Sequence, residues 1–419
     1  MQAPRSTTVR EAYDAIVVPR AAELEATLRI VTERLARELA SPGECAPDWS
    51  DYEWAVARAV AAMHGISTLL AVCLPWRGPN AWTSFLQQQR SHTAARQLRI
   101  QAVLKSIGEK AREAGVAVTP LKGAALHELG LYAAGDRPMA DIDLLVRPSD
   151  AERMTTLLET LGFGLSGVTW KERIFTPIDE TAAAEFGEHS DNSVKIELHE
   201  RICEKLPWRL TDVSEFIFPR KPRPGLNSYP SNGALMRHLL LHAAGSMAFQ
   251  GLRILQLHDI SLLAERMSEA DWNEAAQSPR ASRMWWAFPP LDLVSRYYKG
   301  RIPSDVLAAT KRDCSFFLRA IAKRTSLVAV SYSHLWVKAF PGIEWSQSVS
   351  EMLRYAASRV RPGPDHMAHR ARVAKTEAWA RRSEWSRFSQ SRRIVQWISA
   401  RQTRPVTMNA IVAALSKRE

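Results

Sequence analysis

Cysteine is scarce and unpatterned in this chain. Cys45, Cys73, Cys203 and Cys314 lie far apart in 419 residues, which excludes local zinc-finger and paired-thiol redox patterns and favours free thiols in a reducing compartment. Long apolar runs are also missing. The nearest approach to a membrane span is the 18 residues from Ala59 to Trp76, at the lower limit for crossing a bilayer. That stretch follows Arg58, contains His64 and Gly65 and ends beside Pro75, so a buried helix of a helical domain is expected and no transmembrane segment. The opening residues, Met-Gln-Ala-Pro-Arg-Ser-Thr-Thr, carry no apolar core of a secretory signal, and a cytoplasmic location is the expectation. No repeat recurs at a fixed period and no long low-complexity run occurs.

What is present is ordinary globular material. The chain is 46% apolar, enough to bury a core, and its length suits two or three packed units. Its net charge of +12 is unevenly spread: between Arg354 and Arg404 thirteen Lys/Arg face only Asp365, Glu377 and Glu384. A local excess of this kind attracts polyanions or an acidic surface. Within it Arg381, Arg382, Trp385, Arg387, Phe388, Arg392, Arg393 and Trp397 interleave cations with aromatics, the pattern of phosphate contact plus base stacking. The same spacing describes an amphipathic helix with buried tryptophans and solvated arginines.

Residues 1 to about 110 read as helical from apolar recurrence in Ile16–Leu39, Trp54–Leu74 and Trp82–Ile107. At Gly115 the pattern changes to a short β-branched run, Val116 to Leu121, followed by Lys122-Gly123 and a brief helical segment to Tyr132. Then comes Ala140-Asp141-Ile142-Asp143-Leu144-Leu145-Val146. On a strand, successive side chains alternate faces, so Asp141 and Asp143 project together while Ile142 and Leu144 enter the core. Paired hard oxygen ligands at a strand edge suit Mg²⁺, with Mn²⁺ as the alternative. Ser149-Asp150-Ala151-Glu152 reads as a capping box, with Met154, Leu157, Leu158 and Leu161 as the apolar stripe behind it and Gly162 as the stop. Short extended segments follow from Phe163. Val194 to Glu200 alternates strictly, placing Lys195, Glu197 and His199 on one face. Beside the Asp141/Asp143 strand, Glu197 becomes a third carboxylate. A proline-rich connection, Pro219 to Gly225, precedes helical pattern from about Gly233 onward, with breaks near Ser278-Pro279, Pro289-Pro290, Gly300 to Pro303 and Pro362-Gly363-Pro364.

This series resembles a poorly characterised nucleotidyltransferase family of the DNA polymerase β-like superfamily. The resemblance rests on Leu121-Lys122-Gly123-Ala124-Ala125-Leu126, Tyr132, Arg137, the strand Asp141 to Val146, Leu161-Gly162-Phe163 and Ile196-Glu197-Leu198-His199. Leu239-Leu240-Leu241-His242, Arg253-Ile254-Leu255 and Asp259-Ile260 extend it, and it covers roughly Val116 to Ala264. It implies an α+β fold: a polymerase β-like core with a small mixed sheet at 111–218. The chain's own pattern, outside the resemblance, adds a helical region at 1–110 before that core, and a helical domain at 219–350 and a basic helical region at 351–419 after it. The superfamily's usual Gly-Ser pair is replaced by Lys122-Gly123, and its usual third aspartate by Glu197.

The activity so implied is Mg²⁺-dependent transfer of a nucleoside monophosphate from NTP to an acceptor hydroxyl or phosphate of a small molecule, a peptide or an RNA. Asp141, Asp143 and Glu197 would be the metal ligands and catalytic acids, with Glu197 taking the attacking hydroxyl's proton. Lys122, Gly123, Arg137 and His199 would hold the nucleotide, Gly123 by letting the backbone approach the phosphates. Each has a plainer alternative: a solvated lysine beside a turn, a steric turn glycine, an arginine paired with a neighbouring acid, a structural histidine. His242 and Asp259, on helices, would buttress the site. The competing reading is a catalytically impaired binding protein that keeps the fold and engages nucleic acid or an acidic partner through its basic C-terminal helices.

Overall fold

The computed structural model describes residues 21–179, 187–277, 284–332, 339–364, 367, 371 and 388–399; Arg381, Arg382, Trp385, Arg387 and the Ser278-Pro279 break lie outside them. Four helices open the described chain: α1 (Ala21–Ala40), α2 (Asp51–Met63), α3 (Ser67–Cys73) and α4 (Asn80–Glu113). A mixed sheet with a few helices follows, then an all-helical remainder. The four cysteines are free thiols.

The sheet orders its strands β3-β4-β5-β2-β1-β8, where β1 is Ala117–Pro120, β2 Asp141–Leu145, β3 Phe163–Val168, β4 Glu172–Pro177, β5 Lys195–His199 and β8 Gly225–Leu226. A separate hairpin pairs β6 (Cys203–Leu206) with β7 (Arg209–Asp212). Strand β5 returns beside β2 in parallel, with Asp143 opposite Glu197 and Leu145 opposite His199. The extended segments after Phe163 are the β3–β4 hairpin, antiparallel to β5 through β4. The proline-rich connection ends in β8, which adds a short parallel edge to β1.

Period-two alternation sorts the two faces. Ile142, Leu144, Ile196, Leu198 and Phe175 join a core with Ile100, Ile107 and Ala111 of α4 and Met154, Leu157 and Leu158 of α6 (Ala151–Thr160). The opposite face carries Asp143 and Glu197 toward α8 (Asn232–Ala248) and α9 (Ile254–Arg266). A second, larger core runs from Leu24 and Leu28 of α1 through α2, α8 and α9 to Trp345.

Two local expectations are corrected. Ser149 forms no cap: Pro148–Asp150 is a 3₁₀ turn and the helix starts at Ala151, with Asp150 already at helical dihedrals and no capping bond from a side chain. An extended cap residue is what the box requires, and Ser50 supplies it at α2, accepting from the Glu53 amide at 3.3 Å while Glu53 accepts from the Ser50 amide at 2.8 Å. The apolar stretch from Ala59 is not one helix either. Gly65, at φ +67°, ends α2, and α3 leaves at 110°. Among the described residues no single helix is long and apolar enough to cross a membrane, although this bent pair together passes on length and composition.

The bend is pinned by His64. Its Nδ1 accepts from the Ile254 amide at 3.0 Å, so its Nε2 carries the proton toward Tyr332 Oη, 2.9 Å away, which in turn stands 2.8 Å from Thr32 Oγ1. Burial, helped by the Arg253 charge, lowers the imidazole pKa to about 3. The unfolded chain therefore binds the proton first as pH falls below about 6.5, and the stability of the neutral native form is lost from there downward. From this residue alone unfolding free energy should fall by about 2 kcal/mol between pH 7 and pH 5. Urea midpoints across that range check it: His64→Gln should have a shallower pH slope, and an unchanged slope would refute the assignment.

Candidate active site

Asp143 is the centre of the polar face. Its carboxylate is almost fully buried, and Oδ1 accepts from Lys122 Nζ at 2.7 Å and lies 3.1 Å from His199 Nε2. Burial alone would raise the Asp143 pKa, but the Lys122 ammonium and the His199 hydrogen bond outweigh it and hold the group well below the usual carboxylate range. Asp141, two residues up the strand, is raised by burial and by repulsion from Asp143. Glu197 is pushed up to about 9 by burial and by both aspartates. Lys122, partly exposed, thus stands among three carboxylates, with Arg253 and Arg137 also acting on Asp141, and crowding of like charge still raises Asp141 and Glu197.

The Lys122 backbone is unusual. It sits at φ +46°, a left-handed conformation that costs a side-chain-bearing residue about 1–3 kcal/mol and persists where surrounding contacts impose it. Its amide donates to Tyr229 Oη at 3.4 Å, and that hydroxyl is 2.7 Å from His238 Nδ1 on α8. Tyr229 and His238 thereby tie the lysine turn to the helical layer. Neither was legible as a site residue beforehand, because a lone tyrosine in a loop carries no periodic signal.

Gly123 is the second residue of α5 (Lys122–Glu128). A Cβ there would come within 2.6 Å of Met139 Sδ and would also strike Arg137 Nη1, so a larger residue would have to displace the ends of both side chains. Arg137 itself is buried and bidentate on Asp259, with Nε to Oδ1 at 2.8 Å and Nη2 to Oδ2 at 2.7 Å. Tyr132 Oη donates to the same Oδ1 at 2.6 Å. The arginine is therefore paired with an acid as well as lining the cleft.

These groups surround a cleft of about 330 Å³ between the strand edge and α8 and α9, where Lys122, Arg137 and Arg253 face Asp141, Asp143 and Glu197. His199 does not line this cleft; it lies on the far side of the carboxylates, where a smaller cavity begins. His242 borders both spaces. Ligand atoms of Asp143, Glu197 and His199 all lie within 4.8 Å of one another. That donor set fits a divalent cation, whose charge would favour the ionised Glu197; Asp141 stands outside this tightest group.

At the C-terminal end, Arg392 stacks on Phe388 with its guanidinium 4.0 Å from the ring centroid, and Trp397 meets Arg359 and Phe340 at 5.4 and 6.1 Å. The described aromatics there pack within the chain.

A small mixed sheet that presents strand-borne acids from two adjacent parallel strands, flanked by helices, is a nucleotidyltransferase-like fold. The chain belongs to the family described as uncharacterised nucleotidyltransferase, which matches residues 50–287. The match extends beyond the stretch 116–264 on both sides, taking in α2, α3 and α4. No curated protein matches the chain.

Proposed function

We propose that the protein transfers a nucleoside monophosphate from an NTP to an acceptor hydroxyl with the help of a divalent metal ion, Mg²⁺ by preference and Mn²⁺ as the alternative. The observation that carries this reading is the register of β2 and β5, which sets Asp143 opposite Glu197 and brings their carboxylates to one cleft. Asp143 and Glu197, with Asp141 beside them, would hold the ion. When bound, it neutralises phosphate charge and aligns the leaving pyrophosphate.

The chain's own groups do the rest. Lys122, Arg137 and Arg253 give the cleft the positive charge that a triphosphate needs. His199 Nε2 fixes the Asp143 carboxylate, as an imidazole does for a metal-ligating acid. Glu197 accepts the acceptor's proton as the oxygen bonds to the α-phosphorus and the bond to pyrophosphate breaks.

Calorimetry with each of the four NTPs, in Mg²⁺ and in EDTA, tests this. NTP affinity should fall by about tenfold or more when the metal is removed, and transfer should release pyrophosphate. Equal affinity in both buffers would overturn the metal assignment.

A further inference from the structure

Two helices in the C-terminal part, Val349–Val360 and Gln390–Ser399, turn aliphatic side chains to solvent beside arginines that meet no acid. We propose that this surface docks on an acidic membrane, lying in the headgroup layer without crossing the bilayer. The inference is independent of the nucleotidyltransferase reading.

The apolar pattern is the first argument. Val349, Leu353, Ala357 and Val360 recur at helical spacing and form one stripe along the first helix. All four are exposed, Val349 at 70% and Leu353 at 65%. The opposite side is the packed one: Glu351 and Tyr355 are buried, and Tyr355 Oη donates to the Pro341 carbonyl at 2.5 Å. The second helix repeats the arrangement. Val395 and Ile398 are 62% and 80% exposed, while Arg393 is buried and Trp397 turns inward to the Arg359 guanidinium. Gln390 Nε2 donates to the Arg359 carbonyl at 2.8 Å, so the two helices are packed together. Helices that are anchored on one side and aliphatic on the other are what an interfacial segment buries among lipid headgroups.

Charge names the partner. Arg354 and Arg361 flank the first stripe and Arg392 flanks the second, and all three are exposed. Arg354 contacts Ser350, Arg392 lies over the Phe388 ring, and no carboxylate among the described residues pairs with any of the three. The one acid on either helix, Glu351, is paired with Arg209 at 2.7 Å on the buried side, and Glu344, in the turn before the first helix, is half-buried. The surrounding sequence has the same sign, with thirteen Lys/Arg against three acids from Arg354 to Arg404. The negative potential of an anionic leaflet draws in such a surface, and its aliphatic stripes then enter the headgroup boundary.

Nucleic acid would meet the same cations, but it holds its bases on exposed rings. The aromatics in and beside these helices do not offer them: Tyr355 and Phe388 are buried, and Trp397 is half-buried against Arg359. What solvent meets between the arginines is aliphatic. Such surface adds nothing to a phosphate contact and gains by leaving water for acyl chains.

Co-sedimentation of the full chain with vesicles tests this, using phosphatidylcholine alone and phosphatidylcholine mixed with phosphatidylglycerol. Binding to the mixed vesicles should be at least about tenfold tighter and should weaken as salt is raised. Val349→Ser with Leu353→Ser, and Arg354→Gln with Arg361→Gln, alter only exposed side chains. Each pair should weaken vesicle binding about tenfold, while the urea midpoint and Mg²⁺-dependent ATP affinity stay as in the unaltered protein. Absence of vesicle binding, equal binding to both lipids, or binding unchanged in either pair would overturn the proposal. Displacement from the vesicles by a pentauridylate that binds the serine pair as well as the unaltered protein would assign the cations to nucleic acid instead. A dimer in sedimentation velocity that the serine pair dissolves would assign the stripe to a second copy, and would likewise overturn it. Failure of the unaltered protein to bind ATP in Mg²⁺ would remove the nucleotidyltransferase reading and leave the vesicle result to decide this proposal by itself.

Discussion

Asp143→Asn is expected to reduce nucleotidyl transfer by about a thousandfold or more and to abolish the Mg²⁺-dependent part of NTP affinity, since a ligating carboxylate is worth several kcal/mol of transition-state charge stabilisation. The substitution keeps the side chain's size but removes the charge shared by Lys122 and His199. It also removes one of the repulsions that push the Glu197 pKa up to about 9. Loss of activity must therefore come with a chain that still folds, which circular dichroism and a thermal melt will show. Asp143→Ala serves as the second variant, because it opens the Lys122 contact instead of replacing it. Label transfer within about tenfold of the unaltered protein in both variants would show that chemistry occurs elsewhere.

Much of this geometry is written in local pattern. The alternation in Asp141-Ile142-Asp143-Leu144 and in Lys195-Ile196-Glu197-Leu198-His199 tells which side chains share a face, because strand geometry has a period of two and the apolar set must be buried. What the pattern does not encode is distance along the chain. Arg137 and Asp259 are 122 positions apart, and nothing near either one announces the other. The left-handed Lys122 is equally hidden: its conformation is imposed by Tyr229 and the helical layer, whereas propensity would place a glycine there. The false capping box at Ser149 has a related cause. Residue types alone matched the motif, but Pro148 opens a 3₁₀ turn that takes Ser149 out of the extended conformation a cap needs.

Asp259→Ala should be the most destabilising single change near the cleft, costing about 3–5 kcal/mol, because it strands a buried guanidinium without its counter-charge. The side chains of Arg137 and Asp259 are 9% and 3% exposed, and two charge-assisted hydrogen bonds of 2.8 and 2.7 Å join them. Tyr132 would lose its acceptor in the same variant, adding an unsatisfied buried hydroxyl. Replacing both charges by apolar groups, Arg137→Met with Asp259→Leu, should recover most of that stability, since a well-packed apolar pair avoids the desolvation cost of the ions. Urea unfolding of the two singles and the double supplies the cycle; a cost below about 1 kcal/mol for Asp259→Ala would mean that the pair is solvated. The double variant also separates the two roles left open for Arg137. If its charge serves the nucleotide, the restored protein folds but binds NTP in Mg²⁺ about tenfold more weakly or worse. If affinity returns with stability, Arg137 acts through packing, by joining the loop before β2 to α9 and keeping its guanidinium against Gly123, and Lys122 and Arg253 carry the phosphate charge without it.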